Sequence, residues 1–86
     1  MATEQRSWKD FSVDGYLVRV SRGDRVNDYR AKLLLPGIGL IQEEGGPTAM
    51  HALLTLVDKL AKGIGTGDRA LARKIAVAVG LPPPPP

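Results

Sequence analysis

The chain has 86 residues, no cysteine and a formal charge of +3 at pH 7. A chain of this length forms one small domain, and nearly all of its apolar side chains are needed for a single core. Because it lacks cysteine, it has neither a disulfide framework nor a thiolate zinc site. Without these two devices, the fold must rest on internal packing or on a partner chain. Because the core uses most of the apolar residues, few are left to form a deep enzymatic cleft.

The order of segments predicts one folded domain between two short ends. Residues 1–7 carry no apolar pattern, and we expect them to form a flexible N-terminus. We assign residues 8–81 to a single α+β domain and the five prolines of residues 82–86 to a polyproline II tail. No apolar run could span a bilayer, and the chain does not begin with the apolar stretch of a secretory signal. The sequence therefore predicts a cytoplasmic protein without membrane contact.

The first half of the domain shows the two-residue periodicity of β-strands. Asp14 and Gly15 supply the positive φ angles of a type I′ turn, and the alternating residues 16–20 follow them, which predicts a hairpin. A polar loop separates this hairpin from a second alternating segment at residues 29–35. In both segments one face is apolar and the other is largely basic.

A second turn and a short strand complete the predicted sheet. Pro36 and Gly37 fit the two central positions of a type II turn, because proline presets φ and glycine accepts the left-handed conformation. A last strand is predicted at residues 38–42. Consecutive strands joined by short connections are usually neighbours, so these segments predict a three- or four-stranded antiparallel meander.

After the strands the apolar residues recur at helical spacing. A first helix is predicted over residues 48–62, with Pro47 suited to its first turn and Gly63 ending it. The predicted core-facing stripe of this helix consists of Met50, Leu53, Leu54, Val57, Leu60 and Ala61.

A second helix is predicted over residues 69–79. Asp68 is a suitable N-cap, and Gly80 followed by Leu81 has the composition of a Schellman motif. The whole order predicts an α+β fold, in which a three- or four-stranded antiparallel meander is followed by two C-terminal helices packed on one face.

Catalysis has little support in the sequence. The one histidine, His51, shares a helix face with Thr55 and Asp58, but three side chains on an exposed helix have no pocket to desolvate them. The alternating glycines of residues 63–67 lack the spacing of a phosphate-binding loop. We therefore expect no enzyme activity, catalytic residue, metal, cofactor or small-molecule substrate.

Nucleic-acid binding is a possible function on the basis of charge. If the apolar sides of the strands face the helices, the opposite side of the sheet and the adjacent loop display five cations. Five phosphate contacts would give a measurable affinity that depends strongly on salt. Against this function, the face lacks aromatic side chains on which bases could stack. These candidate contacts are Arg19, Arg22, Arg25, Arg30 and Lys32.

Protein association has the best support. The second helix is apolar all round near Val77, so one meander and one helix can hardly cover it. The candidate interface residues are Leu17, Leu34, Arg73 and Val77. The leading prediction is a non-catalytic protein-binding module, homodimeric and acting as an inhibitor or regulator of another macromolecule. This profile resembles that of phage and bacterial defence or antitoxin proteins only by analogy.

Overall fold

The fold is taken from a computed structural model, which describes residues 10–63 and 68–82. These residues form one antiparallel sheet in the strand order β1-β2-β3-β4, followed by two helices. This confirms the predicted α+β fold and shows four strands within the described residues. The elements are β1 (Asp10–Val13), β2 (Tyr16–Arg22), β3 (Tyr29–Leu35), β4 (Gly39–Gly46), α1 (Ala49–Ala61) and α2 (Arg69–Val79).

The two tight turns of the sheet have the predicted backbone geometry. Asp14 and Gly15 have φ angles of 54° and 85°, as a type I′ turn requires. In the turn between β3 and β4, Gly37 has a φ of 87°, and the N–H of Ile38 donates to the carbonyl of Leu35 at 2.9 Å. Both short connections therefore keep consecutive strands side by side.

The predicted bounds of the last strand were wrong. We expected residues 38–42, but β4 extends from Gly39 to Gly46. The reason is that β3 offers backbone partners along its whole length, and the opposite charges of Lys32 and Glu43 lie directly across from one another. The two acidic residues and two glycines before the first helix therefore belong to the sheet.

A β-bulge interrupts the pairing of β3 with β4. Leu33 lies opposite Gln42, whereas the next residue, Leu34, lies opposite Leu40. Ile41 is thus an extra residue on β4, and it packs against the core. The bulge sets which β4 side chains reach each face of the sheet.

The first helix begins one residue later than predicted. Thr48 is the N-cap, and its side chain accepts a hydrogen bond from the N–H of His51 at 3.0 Å. Pro47 therefore precedes the cap instead of lying in the first turn, because a capping threonine takes the position before the helix. Gly63, with a φ of 81°, follows the C-cap as predicted.

The predicted core-facing stripe of α1 was partly wrong. Leu56, which was outside that stripe, is fully buried, whereas Met50 and Leu54 are exposed. The side of α1 that is buried is the side that contacts β2, β3 and β4. The helix α2 does not cover the side that carries Met50 and Leu54. Two large apolar side chains are therefore left on the surface.

The second helix has the predicted ends. Asp68 accepts a hydrogen bond from the N–H of Leu71 at 2.9 Å, and Gly80 has a φ of 83°. The N–H of Leu81 donates to the carbonyl of Ala76 at 2.8 Å, as in a Schellman motif, and Leu81 is buried. These hydrogen bonds define both ends of α2, which packs against α1 and β1.

Both helices share one core with a single face of the sheet. Every buried residue in the described segments is hydrophobic. Side chains of the sheet and of the two helices pack against one another, so the protein has two layers. The largest fully buried side chains are Val18, Leu33, Leu56, Leu60, Leu71 and Ile75.

Several sequence predictions concern residues outside the described segments. These are the flexible N-terminus at residues 1–7, the glycine-rich connection at residues 64–67 and all but Pro82 of the polyproline tail. The domain limits of 8–81 remain a prediction for the same reason. Neither α1 nor α2, the two helices of the described residues, is long and apolar enough to cross a membrane.

Candidate protein-interaction surfaces

The helix face that carries the histidine is occupied by local structure. The hydroxyl of Thr55 donates to the carbonyl of His51 at 2.9 Å, and Asp58 pairs with Lys62 at 3.1 Å. The ion pair has the i,i+4 spacing that supports a helix, and the Thr55 hydroxyl is bonded within α1. Within the described segments, no three His, Cys, Asp or Glu side chains are placed together to hold a metal ion. The absence of enzyme activity remains a prediction.

The side of the sheet that faces away from the helices, here the outer sheet face, carries two cross-strand rows. Because Val18 and Leu33 point into the core, the residues that alternate with them point outward. The strand register aligns these outward residues across the sheet. The charged row is Asp10, Arg19, Lys32 and Glu43, and the apolar row is Leu17, Leu34 and Leu40.

Ion pairs neutralise much of the outer sheet face. Arg19 donates from Nε and Nη2 to the two carboxylate oxygens of Asp10, each at 3.0 Å. Arg30 donates to Asp28 at 3.1 Å and to Glu43 at 3.4 Å. The side-chain hydrogen bond from Arg19 lowers the pKa of Asp10, and the same bond raises the pKa of the Arg19 guanidinium.

The remaining predicted nucleic-acid contacts are spread over different environments. In the charged row, Lys32 lies between Arg19 on β2 and Glu43 on β4. The guanidinium of Arg22 lies over the ring of Tyr29, 5.9 Å from its centroid, and Arg25 is exposed in the loop between β2 and β3. The predicted cations are on or beside one face, but acidic residues interrupt it.

Sequence reasoning set Asp28 against these cations but missed the other two acidic neighbours, Asp10 and Glu43. Asp10 comes from β1 and Glu43 from β4, so both lie far along the chain from the cations that they face. The three cations of the strands, Arg19, Arg30 and Lys32, thus have three carboxylates nearby, of which Asp28 is the third. Only the strand register could have revealed this balance.

The apolar row lies at the other end of the outer sheet face, near the two tight turns. Leu17 is directly opposite Leu34, and Leu34 is directly opposite Leu40. Leu40 is 54% exposed, and Ile38, in the adjoining turn, is also exposed. The row therefore presents a continuous apolar strip across three strands, in which only Leu17 and Leu34 were predicted from the sequence.

The second helix exposes a different surface. Val77 is 68% exposed, and a shallow depression of about 330 Å³ lies beside it. Two basic and two small apolar side chains line the depression, namely Arg73, Lys74, Val77 and Ala78. The ammonium group of Lys74 also reaches the carboxylate of Asp14 at 3.2 Å. The lining of this depression is therefore part apolar and part basic, and one of its two basic residues is paired with a carboxylate.

Both helices carry exposed apolar residues, and they contact one another at the end of α1. Arg69 and Val77 are eight residues apart on α2 and share a flank, and Arg69 donates from Nε to the carbonyl of Ala61 at 3.3 Å. On α1, Met50 and Leu54 share the flank of Ala61 by the same periodicity. We call the surface formed by these flanks and the depression the helical outer face.

The four predicted interface residues thus belong to two surfaces. Leu17 and Leu34 lie together on the outer sheet face. Arg73 and Val77 lie together on the helical outer face. Because the sheet and the helices form two layers, these surfaces are on opposite sides of the protein and cannot form one interface.

A comparison of the chain with protein-family models, with curated proteins and with solved structures found no match. Any statement about function therefore depends on the two surfaces.

Proposed function

We propose that this protein is a small, non-catalytic protein-binding module that pairs with a second copy of itself through the apolar row of the outer sheet face. The proposal includes action in the cytoplasm as an inhibitor or regulator of another macromolecule. The observation that carries it is the continuous strip formed by Leu17, Leu34 and Leu40. Such a strip on an otherwise polar sheet face is typical of an interaction surface.

A two-fold axis that runs along the apolar row gives a self-complementary contact. In this arrangement each leucine of the row packs against the same leucine of the second copy. The charged rows then lie on opposite sides of the axis, so Arg19 does not face its own copy. The ion pair of Arg19 with Asp10 can remain intact when the dimer forms.

The size of the surface predicts a weak dimer. Four strands span about 19 Å across the sheet, and a seven-residue strand is about 24 Å long. A contact of these dimensions is smaller than the roughly 800 Å² per partner of a standard interface. We therefore expect exchange between monomer and dimer, with a dissociation constant on the order of 10 to 100 μM.

Sedimentation equilibrium over a range of concentrations tests the proposal. The protein should be monomeric when dilute and dimeric at about 1 mM, well above the expected dissociation constant. Leu40→Gln should weaken the dimer by about tenfold, because it removes one buried apolar side chain from each copy.

Leu54→Gln is the matched control. It replaces a leucine of similar exposure, 45% against 54% for Leu40, but on the helical outer face. It should leave the dimer unchanged. A protein that stays monomeric at the highest concentration, or a dimer that is weakened only by Leu54→Gln, would contradict the proposed interface.

The alternative function predicted from the sequence is nucleic-acid binding, and it has weaker support. The strand cations of the outer sheet face have carboxylates as neighbours, which lowers the attraction for phosphate. A titration with RNA and DNA at low salt separates the two functions. Binding that is lost on substitution of the five cations would favour the alternative, and these cations are Arg19, Arg22, Arg25, Arg30 and Lys32.

A further inference from the structure

We infer that the charged row determines how two copies of the outer sheet face meet, because it disfavours the competing arrangement of the dimer. This inference rests on the proposed function, and it names the residues that determine the specificity of the same interface. The observation that supports it is the order of charges across the four strands, which is negative, positive, positive and negative at Asp10, Arg19, Lys32 and Glu43. This order is the same when it is read from either edge of the sheet.

Two arrangements bring the apolar rows of two copies together. Sheets that pack face to face commonly keep their strands aligned, so the two-fold axis runs either along the apolar row or parallel to the strands. With an axis along the row, each strand of one copy lies on the same strand of the second copy. With an axis parallel to the strands, β1 lies on β4 and β2 lies on β3. Leucines meet leucines in both arrangements, so the apolar row alone does not choose between them.

An axis parallel to the strands places like charges on one another. Arg19 on β2 then lies on Lys32 of the second copy, and Asp10 on β1 lies on Glu43 of the second copy. The ion pair of Arg19 with Asp10 does not remove this repulsion. It lies in the same direction across the sheet as Lys32 and Glu43 of the second copy, and parallel pairs of charges that lie side by side repel one another. This arrangement is therefore disfavoured by all four members of the charged row.

An axis along the apolar row avoids this conflict. The charged row lies two residues, or about 7 Å, from the apolar row on the side away from the tight turns. Rotation about the apolar row therefore places the charged row of one copy beside the turns of the other. The turn between β3 and β4, at residues 36–38, is uncharged. In the turn between β1 and β2, Asp14 is paired with Lys74 of its own copy. The charged row thus meets no row of like charges.

Single thiols introduced into this cysteine-free chain distinguish the two arrangements. Ser12 is exposed opposite Leu17, at the β1 end of the apolar row, and Ser21 lies on β2 four residues beyond Leu17. With the axis along the row, Ser12 meets Ser12 of the second copy, whereas the two copies of Ser21 are about 27 Å apart. With the axis parallel to the strands, the two copies of Ser12 are about 14 Å apart, and those of Ser21 are offset by only one strand, about 5 Å.

Ser12→Cys and Ser21→Cys are therefore matched variants for cross-linking. Each is treated with a short bifunctional maleimide at a protein concentration of about 1 mM, where the dimer is populated. Ser12→Cys should form covalent dimers about tenfold faster than Ser21→Cys, because only its two thiols are held close together. Equal rates, or faster linking of Ser21→Cys, would overturn the inference.

Exchange of two charges tests the role of the charged row directly. Lys32→Glu combined with Glu43→Lys changes the order to negative, positive, negative and positive, and it keeps opposite charges at two directly paired positions. An axis parallel to the strands then places opposite charges on one another. Linking through Ser21→Cys should rise about tenfold relative to linking through Ser12→Cys. An unchanged ratio would show that the charges do not select the arrangement.

Asp24→Lys combined with Arg25→Glu is the matched control, because it also exchanges two opposite charges, but in the exposed loop between β2 and β3. It should leave the ratio of the two linking rates unchanged. The two thiol variants with the natural charged row test the inference even if the exchange in the sheet unfolds the protein. Sedimentation of the same samples separates the outcomes. A protein that stays monomeric refutes the proposed function, whereas a dimer in which Ser21→Cys links as fast as Ser12→Cys refutes this inference alone.

Discussion

The outer sheet face and the helical outer face both carry cations beside exposed apolar side chains, yet they differ in where the acidic residues lie. On the sheet, Asp10 and Glu43 occupy the same cross-strand row as the cations. On α2, no acidic residue lies within the helix, and Arg69 contacts a neutral carbonyl. The number of cations in a segment therefore does not determine the charge of the surface that the segment forms.

The difference follows from the geometry of the two kinds of element. A sheet brings together residues from separate strands, so β1 and β4 supply the carboxylates that balance β2 and β3. A helix surface is filled by its own residues at three- and four-residue spacing, so a helix without acidic residues stays cationic unless a neighbour intervenes. Asp14, in the turn between β1 and β2, is one such neighbour and pairs with Lys74 at 3.2 Å.

The largest expected effect concerns the close approach of Gly46, at the end of β4, to the first turn of α1. A Cβ atom added at Gly46 would lie 2.6 Å from Nδ1 of His51 and 2.8 Å from the backbone nitrogen of Ala52. Gly46→Ala should lower the free energy of unfolding by about 1 to 3 kcal/mol, measured by urea denaturation, because α1 would have to move away from β4.

Gly45→Ala provides the control for that substitution. A Cβ atom at Gly45 would meet its nearest neighbours at 3.6 Å, which is ordinary contact. Its effect on the unfolding free energy should be within about 0.5 kcal/mol, as for other exposed positions. Equal destabilisation by both substitutions would show that the close approach of α1 to β4 does not explain the need for glycine at residue 46.

Salt tests the balance of charges on the outer sheet face next. Raising NaCl from about 50 to about 500 mM screens exposed charges, yet the dimer should change by less than about twofold, because the outer sheet face has balanced charges and an apolar contact. Sedimentation at the two salt concentrations measures the dissociation constant. A change of about tenfold or more would show that charge, and not the apolar row, controls the association.

Much of the fold could be predicted from local patterns. The positive φ angles at Asp14 and Gly15, the N-cap at Asp68 and the stop at Gly80 each depend on residues close in sequence, and each was confirmed. The extent of β4 could not be predicted in this way. It depends on pairing with β3, and a bulge within the strand hides its alternation.

The candidate surfaces were less predictable than the fold. The exposure of Val77 could be inferred because apolar residues surround that part of α2. Leu40 and Met50 were missed as surface residues, since their exposure depends on the bulge and on the angle at which α1 meets the sheet. A helical wheel gives the width of an apolar stripe but not its exact orientation once a second helix packs beside it.

A smaller effect is expected from substitution of Arg30, whose side chain connects the loop between β2 and β3 with β4. Arg30→Gln removes ion pairs with Asp28 and Glu43, and both pairs are on the surface. The free energy of unfolding should fall by about 0.2 to 1 kcal/mol, and high salt should reduce this difference. Arg25→Gln, a substitution of an exposed cation in the same loop, should have no measurable effect. Equal effects of the two substitutions would show that the bridging ion pairs add nothing to stability.

The smallest effect is the titration of Asp10 on the outer sheet face. Its pKa is lowered by the hydrogen bond from Arg19, so its carboxyl should titrate below the value of about 3.9 that is usual for aspartate. A group with a lowered folded-state pKa stabilises the fold above its unfolded pKa, and this contribution is lost as pH falls through the folded value. NMR titration of Asp10 should show this low midpoint. Arg19→Gln should raise the midpoint towards the usual aspartate pKa of about 3.9. An unchanged midpoint in Arg19→Gln would show that the bidentate pair does not persist in solution, and the outer sheet face would then be more open to anions than the ion pairs indicate.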